Sequence, residues 1–167
     1  MAGVVATVVV AVTAVGCNSD GDSMTLEEYF AEFERISGGA EARLDEVGTP
    51  DLSGDASFEA SRDSLAAFYD RYATETEDVI DEFDGLDPPD EAASEHERFV
   101  SAIRELPSVT YNYANRIRDA ESEEAFGEAF ADTAEGEAVG TRITEACNDL
   151  QAIADDNEIE VELACDE

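Results

Sequence analysis

The one histidine of the chain is the first residue whose type could do chemistry. His96 lies between Glu95 and Glu97, and an imidazole beside carboxylates could accept a proton or help to bind a metal ion. The favoured alternative is a histidine in or at the rim of the core, because a single histidine without a motif is weak evidence for a site. Zinc is disfavoured because partner histidines and free thiolates are missing.

The abundant carboxylates match neither a di-iron centre nor an EF-hand. A di-iron centre needs Glu-x-x-His on two helices, and the residue three before His96 is Ala93. The segment NSDGDS carries Asp20 and Asp22 at alternate positions but lacks the glycine position and the twelfth-place glutamate of an EF-hand. A phosphate-binding glycine loop and a nucleophile elbow are also missing. We therefore predict no catalytic residue, no metal site and no cofactor.

The N-terminus carries the most informative pattern. Residues 1–16 contain no charged side chain, and they are too few to cross a bilayer core that needs about 20 helical residues, which is typical of a signal peptide. The four residues at the end of this segment, Ala14-Val15-Gly16-Cys17, resemble the lipobox of prokaryotic membrane lipoproteins. This resemblance implies cleavage before Cys17, a lipid on its thiol, and a location on the outer face of the cell membrane. The alternative is an ordinary signal-peptide cleavage that leaves Cys17 as a free thiol.

The two remaining cysteines form an even pair. Export places Cys147 and Cys165 in an oxidising compartment, so a disulfide between them is expected. Closing a loop of this length stabilises a fold by about 3 kcal/mol. The alternative is two buried reduced cysteines.

The charge of the chain excludes some partners. The 43 acidic residues face nine basic residues, all of them arginine, and the formal net charge is −34. Such a chain repels nucleic-acid phosphates and anionic lipid headgroups, so we predict no nucleic-acid partner. Self-repulsion weakens a compact state unless salt screens it, which favours a salt-rich environment. A GC-rich genome would explain the missing lysine but not the acidic excess.

Hydrophobic periodicity predicts four amphipathic helices after a flexible tether at residues 17–23. The first begins at a capping box formed by Thr25 and Glu28, and the second covers residues 57–83. The third follows Asp87 as its cap, with two prolines in its first turn, and Pro107 bends it. The fourth runs from Ser122 to Ala154, with Gly136 and Gly140 allowing a close helix approach or a local break.

The last residues change period from 3.6 to 2. Ile159, Val161 and Leu163 alternate with glutamates, which indicates an extended tail with one apolar edge. Folded back along the last helix, this tail would bring Cys165 to Cys147. Together the elements predict an all-α fold in residues 24–167, an antiparallel four-helix bundle with a short extended C-terminal tail.

The predicted function follows from the anchor, the charge and the lack of catalytic motifs. We expect a lipid-anchored extracytoplasmic protein with a binding or scaffolding role at the cell surface, whose partner is an envelope protein or a cation. The alternatives are a binding protein for a cation or cationic ligand, and an enzyme that uses His96 with carboxylates. Five tyrosines could line a ligand groove, although rim positions of an ordinary core are favoured: Tyr29, Tyr69, Tyr72, Tyr111 and Tyr113.

Overall fold

The computed structural model describes residues 24–50, 52, 57–131, 133–163 and 165. Within these ranges the protein is helical and contains no strand, so the predicted all-α class is confirmed. The expected signal peptide, Cys17 and the tether lie outside the described residues. The helices are α1 (Leu26–Glu46), α2 (Phe58–Asp84), α3 (Asp90–Ile103), α4 (Leu106–Arg118), α5 (Glu123–Ala131) and α6 (Ala134–Asp156).

The helices form the four arms of a bundle. α1 and α2 are one arm each, α3 and α4 together form the third, and α5 and α6 form the fourth. α1 packs on α2, α2 along α4, and α3 along α6. α2 and α4 run antiparallel, because Thr74 meets Tyr111 while the earlier Asp70 meets the later Arg118. Ion pairs between α6 and the third arm show the same antiparallel sense.

Local capping explains where the first two helices begin. The backbone N–H of Thr25 donates to Glu28 at 3.0 Å, and the N–H of Glu28 donates back to the Thr25 hydroxyl at 3.2 Å. This is the predicted capping box. The Ser57 hydroxyl accepts from the N–H of Ala60 at 3.3 Å and caps α2 in the same way.

The start of the third arm differs from the prediction. α3 begins at Asp90, so Pro88 and Pro89 precede the helix and Asp87 does not cap it. A residue before proline is disfavoured in the helical region, and this restriction applies to both Asp87 and Pro88. Pro89 is extended, with φ −65° and ψ 158°, and its carbonyl accepts the first helical hydrogen bonds.

The third arm is two helices where the sequence pattern predicts one bent helix. Arg104 and Glu105 separate α3 from α4 and keep right-handed helical backbone angles. Pro107 lies in the first turn of α4 and has no N–H, so the carbonyl of Ile103 loses its helical partner. The proline therefore marks the interruption, and the backbone continues in a helical sense through it.

The fourth arm is also divided, which was not predicted at this place. α5 ends at Ala131 and α6 begins at Ala134, and Thr133 before it makes no capping bond through its side chain. Gly136 and Gly140 lie inside α6, so neither glycine breaks the helix. A side chain at Gly136 would meet Val109 of α4 at 3.9 Å, an ordinary contact.

Most buried side chains belong to one hydrophobic cluster, here called the main core. It joins α1, the end of α2, α3, the later half of α6 and the tail. Its centre is aromatic, because Phe33 lies 4.8 Å from Phe83 and 5.0 Å from Phe99 between ring centroids. Contacts of this kind add to the burial of the rings themselves.

A second, smaller group of buried residues is here called the minor cluster. Its buried members are Leu65, Ala66 and Ile117, and half-buried aromatic rings pack around them. It joins the first half of α2 with α4 and α5. Among the described residues α1 contributes to the main core only. The bundle therefore has one end built by four arms and another built by three helices.

The C-terminal tail folds back along α6 as predicted. The side-chain amide of Gln151 donates to the Val161 carbonyl at 3.0 Å and accepts from the Leu163 N–H at 2.9 Å. Leu163 is buried in the main core. Cys147 and Cys165 are joined by a disulfide with a Cα–Cα distance of 5.5 Å. Apolar packing of Leu163, the Gln151 side chain and one disulfide thus hold this segment, which has no strand partner among the described residues.

Arginines connect neighbouring helices across the acidic surface. Arg43 of α1 lies 2.6 Å from Glu82 of α2, and Arg118 of α4 pairs with Asp70 of α2. Pairs of this kind are partly exposed and stabilise a fold by about 0–1 kcal/mol each. Further pairs between elements are Arg98–Asp149, Arg104–Asp84 and Arg142–Glu105.

Candidate functional site

α3 places His96 inside the main core, where the imidazole is buried. Its Nδ1 shares a hydrogen bond of 3.0 Å with the hydroxyl of Tyr29, which is itself fully buried. Burial lowers the pKa of His96, and the nearby carboxylate of Asp84 opposes this shift. Burial also raises the pKa of Tyr29, so both groups are neutral at neutral pH.

The neighbouring carboxylates do not join His96 in an acid–base pair. Glu95 bonds to Arg98, which also reaches Asp149 at 2.7 Å, while Glu97 is exposed. In the described ranges, no three His, Cys, Asp or Glu side chains stand close enough to hold a metal ion. His96 therefore has the surroundings of a core histidine with a satisfied ring nitrogen.

A polar groove of about 460 Å³ lies between α3 and α6. Arg98 and Arg142 line it together with three glutamates, and small residues form the rest of its wall. Arg98 already bonds to Asp149 at 2.7 Å, and Arg142 already bonds to Glu105 at 2.6 Å. Since the arginines of the groove are neutralised within the protein, no strong site for an anionic ligand is presented there.

The tyrosines divide between the two ends of the bundle. Tyr29 is in the main core, whereas Tyr69, Tyr72 and Tyr113 surround the minor cluster. The rings of Tyr69 and Tyr113 meet edge to face at 4.7 Å, which leaves no open groove between them. Burial raises the pKa of Tyr113 to about 12, and burial also raises that of Tyr72. The Tyr111 hydroxyl meets the Thr74 hydroxyl of α2 at 3.3 Å.

The rings around the minor cluster continue onto the surface of the molecule. α5 has no buried residue, and half of the Phe130 surface is exposed (50%). Phe126 meets Phe58 edge to face at 5.9 Å, and the Tyr113 hydroxyl donates to the Phe130 carbonyl at 2.9 Å. We call this set the aromatic surface: Phe58, Phe68, Tyr69, Tyr113, Phe126 and Phe130.

The aromatic surface already holds cationic groups of the protein itself. The Arg62 guanidinium lies over the Phe58 ring, 5.9 Å from its centroid, and Arg116 lies over Tyr113 at 5.5 Å. Such contacts are attractive because the face of an aromatic ring carries negative charge. α5 has three glutamates and no basic residue. The combination can bind a group that is both apolar and positively charged.

The partial exposure of the rings on α2 was not predicted from the sequence. Phe58, Phe68 and Tyr72 are half-buried, whereas Leu65 is buried. The available signal was on α5, where Phe126 and Phe130 share one face of a short helix that carries glutamates.

None of the helices in the described ranges combines the length and the apolar character that a membrane span requires. No protein-family model, curated protein or solved structure matches this chain.

Proposed function

We propose that the protein is a lipid-anchored binding or scaffolding bundle on the outer face of the cell membrane. The observation that carries the binding role is the aromatic surface, where α5 buries none of its residues and Phe130 stays half exposed. A group of half-buried rings that ends in an exposed one, as here at Phe130, is a candidate interaction surface. The main core at the other end supplies the stability that such a surface does not.

The anchoring role rests on the lipobox-like residues that end at Cys17. A lipid on this cysteine would leave residues 17–23 as the link to the bundle. A flexible link of this length spans roughly 15 Å, so the domain would stay close to the headgroups. Its negative charge would keep the bundle off anionic lipid and leave its surface open to protein partners.

Intact-mass spectrometry of the protein from its native membrane fraction tests the anchor. We expect a mature chain that starts at Cys17, carries lipid mass, and gains two hydrogens on reduction of the disulfide. A Cys17→Ser variant is the control and should leave the membrane fraction. An unlipidated wild-type chain in the soluble fraction would contradict the proposal.

The net charge of −34 also favours a second candidate, a binding protein for cations. Calcium titration followed by calorimetry separates a specific site from diffuse attraction. Saturable micromolar binding that survives about 0.5 M NaCl would support a site, since this salt screens exposed charges strongly. Binding that NaCl removes would leave only condensed counterions.

A further inference from the structure

We propose that the aromatic surface is the docking site for a cationic amphipathic segment of a partner protein, one with apolar side chains beside arginine or lysine. The inference deepens the proposed binding function and rests on it. Three features of the described residues carry it: a preformed set of rings, an acidic border, and cation–π contacts that the surface already makes.

The rings are held in place before any partner arrives. The Tyr113 hydroxyl fixes the end of α5 through the Phe130 carbonyl at 2.9 Å, and Phe126 rests on Phe58 at 5.9 Å. A surface that is already ordered loses less conformational entropy on binding. The exposed half of Phe130 is therefore a ready anchor point for an apolar side chain.

The charges near these rings favour a partner that carries positive charge. Helical spacing places Glu123 on the face of α5 that carries Phe126 and Phe130, while Glu124 and Glu128 lie farther round the helix. Arg62, which covers Phe58, is paired with Asp63 at 2.7 Å. An incoming cation would thus meet an aromatic face beside a carboxylate, as Arg62 does.

A second copy of the chain fits this surface less well. Two copies would bring two net charges of −34 together, and like charges oppose association until salt screens them. A cationic partner gains from the same field during its approach. Charge complementarity therefore favours a different, basic protein over self-association.

The test uses the full chain in nanodiscs of uncharged phosphatidylcholine, with empty nanodiscs as the reference. The probe is a synthetic amphipathic peptide of leucine and arginine, long enough to form a helix (about 18 residues). It carries a photoreactive leucine analogue and is applied in about 0.5 M NaCl to suppress diffuse attraction. We expect saturable binding and cross-links to α5 and the first half of α2.

Two altered peptides test the required chemistry. Replacing every arginine by glutamate, or every leucine by glutamine, should weaken binding at least tenfold, because each change removes one half of the recognition. Equal binding of the arginine–glutamine peptide would show charge attraction alone and would overturn the proposal.

A matched pair of variants tests where on the protein the peptide binds. Phe130→Ser should weaken peptide binding about tenfold, whereas Leu52→Ser should leave it unchanged. Leu52 has nearly the same exposed fraction as Phe130 (49% and 50%) but is not part of the aromatic surface, where the Phe130 ring meets Tyr113. Both side chains are exposed, so neither substitution should unfold the bundle, which circular dichroism checks.

The remaining outcomes are also decisive. Unchanged binding by Phe130→Ser, or an equal loss with Leu52→Ser, would overturn the docking site. A dimer that Phe130→Ser dissociates in sedimentation experiments would identify a second copy as the occupant. If a lipidated chain does not bind the peptide, the docking site is contradicted and the proposed membrane anchor is not. If an unlipidated chain binds the peptide, the membrane anchor is contradicted and the docking site is not.

Discussion

At one end of the bundle, Phe33, Phe83 and Phe99 pack as a triangle with ring centroids about 5 Å apart, and Phe33 has almost no exposed surface. At the other end, Tyr69 and Tyr113 meet at a similar 4.7 Å, yet Phe130 beside them is half exposed. The distances between the rings are alike at the two ends, but the exposed fraction of the rings differs. What separates the two ends is the additional helix and the tail that close the main core.

This difference assigns separate roles to the two ends. Burial of large apolar side chains provides most of the stability of a fold, so the main core determines whether the bundle forms. Regions with few buried contacts open more easily and are the usual place for binding surfaces.

The largest effect is expected from truncating the centre of the main core. Phe33→Ala should lower the free energy of unfolding by about 3–5 kcal/mol, because it removes a buried ring and leaves a cavity. The matched change at the other end, Phe126→Ala, should cost less than about 2 kcal/mol because that ring is only half-buried. Urea unfolding at one fixed salt concentration measures both, and equal losses would refute the contrast.

Removing the disulfide should have the next largest effect. The double variant Cys147→Ser, Cys165→Ser opens a link across 18 residues, which lowers the free energy of unfolding by about 3 kcal/mol. Faster amide hydrogen exchange should be confined to the tail and the end of α6. A collapse of the helical signal in circular dichroism would show that the bond supports the whole bundle.

The buried histidine should make the main core sensitive to acid. The pKa of His96 is lowered in the folded state, so protons bind the unfolded chain better as the pH falls below about 6.5. The stability from neutral His96 is present above that pH and is lost below it, by at most about 1.4 kcal/mol per pH unit.

His96→Gln isolates this effect from the many carboxylates. The free energy of unfolding of the wild type should fall relative to the variant between pH 7 and pH 5. Parallel pH profiles for the two proteins would mean that the core does not disfavour the imidazolium.

The smallest effect is expected from the arginine pairs. Arg43→Gln and Arg118→Gln should each cost up to about 1 kcal/mol at low salt and almost nothing in 1 M NaCl, because their pairs are partly exposed. Double-mutant cycles with Glu82→Gln and Asp70→Gln measure the pair energies. A coupling energy that persists in 1 M NaCl would show a stronger, less screened pair than the exposure indicates.

Features that depend on neighbouring residues were predictable from the sequence. The Thr25 capping box and the alternating pattern of the tail each involve residues within a few positions of one another, and Pro107 indicated a kink but not the division into two helices. Features that depend on the relative lengths of helices were not. α1 ends at Glu46 and contributes nothing to the minor cluster, and no local pattern in α2 reports where its neighbour stops.

The histidine shows the same limit within the candidate site. The favoured interpretation from the sequence was a histidine in or at the rim of the core, and His96 is buried in the structure. Its partner Tyr29 is 67 residues away in the chain, and no local pattern links the two residues. Pairing across the core depends on the register between helices, which a single sequence does not display.

The two hydrogen bonds of Gln151 also bear on how the chain oxidises. They hold Val161 and Leu163 along α6, and Cys165 follows two residues later. In the reduced chain the same two bonds would present the Cys165 thiol to Cys147 at a high effective concentration. An external disulfide would then be the oxidant: it would form a mixed disulfide with one cysteine, and attack by the other thiolate would close the Cys147–Cys165 bond and release two reduced thiols. A glutamine side chain in this way guides a covalent step in which it takes no part.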